Sequence, residues 1–425
     1  MQGCDRIPFL NSIIGPKKNQ SFMEFCQRPS EQHKKLLKTV IKYNVVKREL
    51  KEPFQYNEQS CVELFSLLKK KEYVYIEIPQ NVPDIIFIKE FENLSHLKLS
   101  IEQEKLDCSP LKELPYLKSL TLLSEIEVNL EFLEGIPNLE KLSLSVEKQS
   151  VLSGFTLKKL KHIKLYPGST SDISFLKNSP KLETISTSGS NIEDLSPISE
   201  LYNLKSIGFF DDKITDICPI QNLSNLEYAS FQRNKISKIC SLKKLKKLKS
   251  LNLSNNEISE IKSLRGANNL EYLDLVGNKI KDITPISQLK ELKQLRIMFN
   301  QIEDISPVSS LKQLTDLAFD DNNIKDISSL KRLKNLEFLN FVNNQIEDVS
   351  VVKSLPKIRS VAFYGNPIKD YTPVLRFVRQ EELQGECTEA DVQQGYCTEQ
   401  QYRLRLAKKR LEIESLTDYF KNNSN

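Results

Sequence analysis

The sequence predicts a repeat solenoid of the α/β class: a curved parallel β-sheet of about thirteen stacked coils, with short helical turns on its convex side and a cap at each end. Three observations predict it. Leucine-type residues recur every 22 residues at Leu182, Leu204, Leu226, Leu248, Leu270, Leu292, Leu314, Leu336 and Ile358, and Leu160, Leu139, Leu117 and Leu94 carry the series back in steps of 22, 21, 22 and 23. Each coil holds a short alternation such as Leu273 and Leu275, which point to one face of a strand while Tyr272, Asp274 and Val276 point to the other. A polar residue follows in fixed register: Asp212, then Asn234, Asn256, Asn278, Asn300, Asn322, Asn344 and Asn366. One coil cannot bury its apolar face alone, so the coils stack and share one core.

Residues 1–93 precede the clear repeat. Leu36, Leu37, Val40, Ile41 and Val45 lie near helical spacing, and Ser60 with Glu63 matches a capping box ahead of VELFSLLKKK. A strand-like YVYIEI follows at 73–78. This region reads as an N-terminal helical cap over the exposed apolar end of the array, since terminal coils need a polar outer face.

The coils occupy 94–372. An Asn at the turn after a buried strand satisfies backbone groups that would otherwise be orphaned, and at fixed register it becomes a ladder. A convex column reads Asp194, Asp216, Asp282, Asp304, Asp326, Asp348 and Asp370. Another reads Pro197, Pro219, Pro285, Pro307 and Pro373, each after a Ser, Thr or Cys. A small capping residue followed by Pro suits the start of a short helical turn.

These residues resemble the leucine-rich repeat superfamily pattern L-x-x-L-x-L-x-x-N-x-I in its 22-residue subclass. Segments such as NQIEDISPVSSLKQLTDL are similar to the repeats of internalins and of leucine-rich phosphatase regulators. The match runs from about Leu94 to Thr372 and is strongest from Leu182 onward. Before that, Thr187 and Ser190 replace an apolar and an Asn position, and Gly168 and Glu147 replace Asn. The resemblance implies an arc that binds a partner protein. The internalin likeness suggests a bacterial protein meeting a host partner; the phosphatase likeness suggests an intracellular regulatory subunit.

Residues 373–425 form the C-terminal segment. Thr398 and Gln401 match a second capping box, and Leu406, Ile413, Leu416 and Phe420 fall on one helical face. The expectation is a helix packed on the last coil.

Composition narrows the chemistry. The 425 residues carry 61 Lys+Arg against 56 Asp+Glu, and a net charge of +5 is too slight to imply a nucleic-acid or membrane partner. Three His residues, at 33, 96 and 162, leave little for a metal centre or a His relay. No nucleotide-loop, zinc-protease or nucleophile-elbow motif occurs. Cys387 lacks any His after 162 to activate it. The expectation is a non-enzyme without metal or cofactor, an enzyme segment within 1–93 or 373–425 being the remote alternative. The eight scattered cysteines favour a reducing interior. Cys387 and Cys397 read as free thiols. Cys218 and Cys240, equivalent in adjacent coils and about 5 Å apart, read as small substitutes in a Ser/Thr column. No membrane span and no signal-peptide core is seen, so the expected location is cytoplasmic, or exported without a cleaved signal peptide.

Binding is expected on the concave face, where strand residues alternate with buried ones and escape the packing rule. One column reads Tyr228, Ser250, Tyr272, Gln294, Asp316 and Phe338; the next includes Asp274 and Arg296; the third includes Phe210, Met298, Asp320 and Tyr364, with Phe299 beside it. Aromatics, Arg and Met on a face that needs no burial are the residue types enriched at interface hot spots. The candidate site is therefore Phe210, Tyr228, Tyr272, Asp274, Arg296, Met298, Phe299, Asp320, Phe338 and Tyr364. The run Lys243–Lys249 on the convex side reads as a solvated face.

Overall fold

The computed structural model describes residues 58–378 and 389–422, apart from 79, 81–84, 104–105, 127, 147–155 and 394–397, together with Cys26, Glu31 and 34–36. The chain divides into two compact units, Met1–Lys213 and Ile214–Asn425.

The first unit begins with helix α1 (Glu58–Leu68), to which a disulfide ties Cys26 through Cys61, both buried. The helix is described from Glu58 on, and the side chain of Ser60 lies outside the described residues. Seven parallel strands follow in sequence order: β1 (Tyr73–Ile78), β2 (His96–Ile101), β3 (Ser119–Ser124), β4 (Lys141–Val146), β5 (His162–Leu165), β6 (Thr184–Ser188) and β7 (Ser206–Phe210). Strand β1 pairs with β2 in the repeat register, Tyr73 opposite His96, so among the described residues the array extends one coil before Leu94. The sequence pattern hides this coil because Lys71 stands where the others place leucine.

The second unit continues the same order in shorter strands: β8 (Tyr228–Ser230), β9 (Ser250–Asn252), β10 (Tyr272–Asp274), β11 (Gln294–Arg296), β12 (Asp316–Ala318), β13 (Phe338–Asn340) and β14 (Ser360–Ala362). Its core repeats coil by coil: Leu273, Leu275, Ile280, Ile286 and Leu289 are fully excluded from solvent, and Phe319 stacks on Phe341 at 6.0 Å. Among the described residues the sheet has fourteen strands, the thirteen expected coils and β1 before them.

The ladder forms as its spacing predicts. Asn300 donates through Nδ2 to the carbonyls of Leu275, Ile297 and Met298 at 3.0, 3.1 and 3.1 Å, and its Oδ1 accepts Ile280 N–H at 3.0 Å. Earlier coils use hydroxyls instead. Ser124, Ser169 and Ser190 donate to the carbonyls of Ile101, Leu144 and Tyr166, each in the preceding coil.

The convex turns are short 3-10 segments such as Thr284–Gln288 and Ser306–Ser310. Their capping differs from expectation. The hydroxyl residue does not cap; Asp304 Oδ1 accepts Ser306 N–H at 2.8 Å while Ser306 Oγ donates to Asp304 Oδ2 at 3.0 Å. The Asp column makes seven of these turns, at Asp194, Asp216, Asp282, Asp304, Asp326, Asp348 and Asp370, because a short carboxylate reaches the backbone two residues on. That column fails at Lys238, and there Cys240 is joined to Cys218 of the preceding coil by a disulfide with Cα atoms 5.1 Å apart. Cys240 is thus a crosslink rather than a small substitute.

Helix α2 (Glu389–Gln393) precedes α3 (Glu399–Asn422). The reciprocal capping box is present: Thr398 N–H donates to Gln401 Oε1 at 2.8 Å and Gln401 N–H to Thr398 Oγ1 at 3.2 Å. Leu404 and Ala407 are buried, whereas Leu406, expected on the packed face, is exposed. Gln400 Oε1 accepts Gly365 N–H at 3.4 Å, and Arg403 donates to the Ile368 carbonyl at 3.2 Å. The side chains of Ile413, Leu416 and Phe420, and residues Cys387 and Cys397, lie outside the described residues. No described helix is long and apolar enough to cross a membrane.

Candidate functional site on the open face of the strands

Nine of the ten candidate residues lie in the second unit. Tyr228, Ser250, Tyr272, Gln294, Asp316 and Phe338 are register partners on consecutive strands, so they form one row across the sheet. At about 4.8 Å per strand, Tyr228 and Tyr272 are roughly 10 Å apart and Tyr272 and Phe338 roughly 14 Å. Tyr228 and Phe338 are 50% and 45% exposed, which packing alone does not require.

Tyr272 and Asp274 are not free. The phenol donates to Asp274 Oδ2 at 2.9 Å, and Asp274 Oδ1 accepts Val276 N–H at 3.1 Å. Asp274 is buried, and desolvation with the adjacent carboxylate pushes the Tyr272 phenol up to about 12. Asp274 therefore acts as a support for Tyr272, not as an exposed contact. Arg296 stands opposite Asp274 in the register and is exposed.

Met298 is half-buried, and its carbonyl accepts Gly277 N–H at 2.9 Å. Asp320 is half-buried and accepts Val342 N–H at 2.8 Å, and burial raises its pKa. Tyr364 is half-buried and stacks on Phe363 at 4.8 Å, next to the C-terminal cap. Phe210 belongs to β7 of the first unit and is exposed.

Phe299 is the most unusual of the set. It is 56% exposed and its φ is 55°. The equivalent positions Gly189, Asp211, Asn255, Gly277, Asp321, Asn343 and Gly365 also have positive φ and are the residue types that tolerate it. Phe299 and Arg233 (φ 57°) are the two bulky exceptions. Arg233 lies outside the strand rows, and its signal in the sequence is the position directly before each ladder Asn. A large side chain held at positive φ without burial gains nothing from the fold, and such residues concentrate at functional sites.

Chemistry on the chain is sparse. Among the described residues, Asp216, Cys218 and Cys240 gather possible metal-ligand atoms within 4.8 Å, but both thiols are consumed by the disulfide. Cys108 is unpaired and buried, and burial pushes its thiol up to about 12, far from a reactive thiolate.

Leucine-rich repeat family models match residues 268–310 and 312–354, as paired repeats, and 234–280. No curated protein sequence matches the chain. An internalin (inlF) of Listeria monocytogenes is 26% identical, covering 80% of this chain and 96% of its own, with a TM-score of 0.64. Internalin C2 of the same organism is 33% identical over 43% of this chain and 81% of its own, with a TM-score of 0.42. A leucine-rich repeat protein of Leptospira interrogans shares the fold at 21% identity, covering 72% and 87%, with a TM-score of 0.63.

Proposed function

The chain belongs to the leucine-rich repeat superfamily and resembles the internalins, and from that premise we propose that it is a non-enzymatic scaffold capturing a partner protein on the open, concave strand face of its second unit. Leucine-rich repeat proteins of internalin type are interaction scaffolds, generally without enzymatic activity. The observation that carries the reading is Phe299, exposed at positive φ just beyond β11, in the same unit as exposed Tyr228 and Phe338. Seven strands span six spacings, about 29 Å, enough for a standard interface of roughly 800 Å² per partner.

The anchors are Tyr228, Phe299 and Phe338, with Arg296 as the charged contact and Tyr272 held in place by Asp274. Affinity capture with mass spectrometry tests this, run in parallel on the wild type, Phe299→Ala/Phe338→Ala and the convex control Lys244→Glu/Lys247→Glu. The expected result is a protein retained by wild type and control but lost by the aromatic variant, since buried aromatic anchors commonly contribute about 2 kcal/mol each. A partner lost only by the control puts the interface on the outer face.

A further inference from the structure

The open face of the first unit has a different chemistry. Its rows read Tyr73, His96, Ser119, Lys141, His162 and Thr184, then Tyr75, Lys98, Thr121, Ser143, Lys164 and Ser186, in register from β1 to β6. Three lysines share that face with one acid, Glu77 of a third row, whereas the matching rows of the second unit carry Asp316, Asp274 and, in the third, Asp320 against Arg296.

The lysines at the rim behave otherwise. Lys161 pairs with Glu140 at 3.0 Å and Lys205 with Glu183 at 2.8 Å. Among the described residues Lys98, Lys141 and Lys164 make no ion pair. Two of them are instead held over tyrosine rings: Lys98 Nζ lies 4.8 Å from the Tyr75 centroid and Lys164 Nζ 4.5 Å from that of Tyr166. A ring beneath an ammonium group keeps it on the face at small entropic cost. Hydroxyls of Thr121 and Ser143 lie between them, half-buried.

We propose that this face is a second docking surface, for an extended acidic peptide segment of a partner protein. Lys98 on β2 and Lys164 on β5 are three strands apart, about 14 Å, which is the reach of about four extended residues at roughly 3.3 Å each. The fitting sequence therefore carries two carboxylates four positions apart, with small residues between them over the hydroxyls. Three lysines and no arginine are too few for a nucleic acid, whose binding commonly neutralises six to ten phosphates. The inference goes beyond the aromatic site of the second unit and does not rest on it.

Fluorescence anisotropy on the full chain tests it, with a labelled peptide carrying Glu-Ser-Gly-Ser-Glu and its Gln-Ser-Gly-Ser-Gln counterpart. The Glu peptide is expected to bind with an affinity that falls with salt. Lys98→Gln/Lys141→Gln/Lys164→Gln should weaken it by about tenfold or more, while the rim pair Lys161→Gln/Lys205→Gln and Phe299→Ala/Phe338→Ala leave it unchanged. Circular dichroism melts of each variant establish that it is folded. Equal affinity for both peptides, or no effect of the triple substitution, overturns the proposal. So does tighter lysine-dependent binding of an oligo-dT strand or of phosphatidylserine vesicles, which would assign the face to a different anion.

Discussion

Thr187 donates its hydroxyl to Asp212 at 2.5 Å, two coil-to-coil exceptions that answer each other. Asp212 stands where later coils place Asn, and Thr187 stands where they place an apolar residue. A carboxylate cannot donate, so its Oδ1 takes the backbone N–H groups of Ser190 and Ile192, while Oδ2 needs a donor from the core side. Thr187 supplies it.

Burial raises the Asp212 pKa despite these bonds. A folded pKa above the unfolded one means that protonation favours the fold: the contribution is fully present below the unfolded value and lost as pH rises through the folded one. Thr187→Val should therefore cost about 1.5–3 kcal/mol at neutral pH, and the difference from wild type should shrink on acidification. Chemical melts across that range check it; a pH-independent difference would mean the hydroxyl serves packing alone.

Asn300→Ala removes three donated bonds and one accepted bond at a half-buried turn. A loss of on the order of 1–3 kcal/mol is expected, read as a lower urea midpoint with unchanged slope. An unchanged midpoint would show that water replaces the ladder at that coil.

Phe299→Gly should raise stability and abolish capture together. Releasing a bulky residue from positive φ returns about 1 kcal/mol, while the exposed ring contributes nothing to the core. A variant that melts lower has lost packing, and Phe299 would then be structural.

Tyr272→Phe should destabilise, unlike the other aromatic substitutions, because the buried Asp274 Oδ2 loses its donor. The expected cost is about 1–3 kcal/mol. Ultraviolet titration gives a second readout: one tyrosine of the wild type should ionise only near 12, and that step should vanish in the variant. Since the folded phenol pKa is raised, its contribution to stability is present below the unfolded value of 10 and lost as pH climbs through 12.

Cys218→Ser/Cys240→Ser should cost about 3 kcal/mol in the chain-entropy account of a loop of this size. Hydrogen exchange should place the loss around Lys238–Leu248, where no Asp holds the turn. Uniform loss across the unit would contradict a local crosslink.

Much of this was legible in the sequence because a strict period repeats each test many times over. Asn300 could be assigned a role because seven Asn residues share its column. The rows of the open face followed from the same register. What escaped was whatever occurs once. Lys71 concealed β1. Ser169 carries the ladder bond one residue after Gly168, so the column looks broken when only residue types are aligned. Asp274 appeared exposed because alternation assigns a face without saying whether a neighbour two residues away closes over it. The Cys218–Cys240 bond was masked by its own column, where Ser and Thr make Cys look like another small residue.

The ladder has a direction. Asn366 reaches back to Ile346 and Phe341, as Asn300 does to Ile280 and Leu275, and none of these side chains reaches forward. The last coil therefore receives nothing from a successor, and Gln400 and Arg403 fill that place at Gly365 and Ile368. The cap reads a single coil and is indifferent to how many precede it. Removing or duplicating one whole 22-residue period between Asn234 and Asn366 leaves every such bond with an equivalent partner. Arrays of this kind can change length in whole-coil steps while carrying the same terminal cassette.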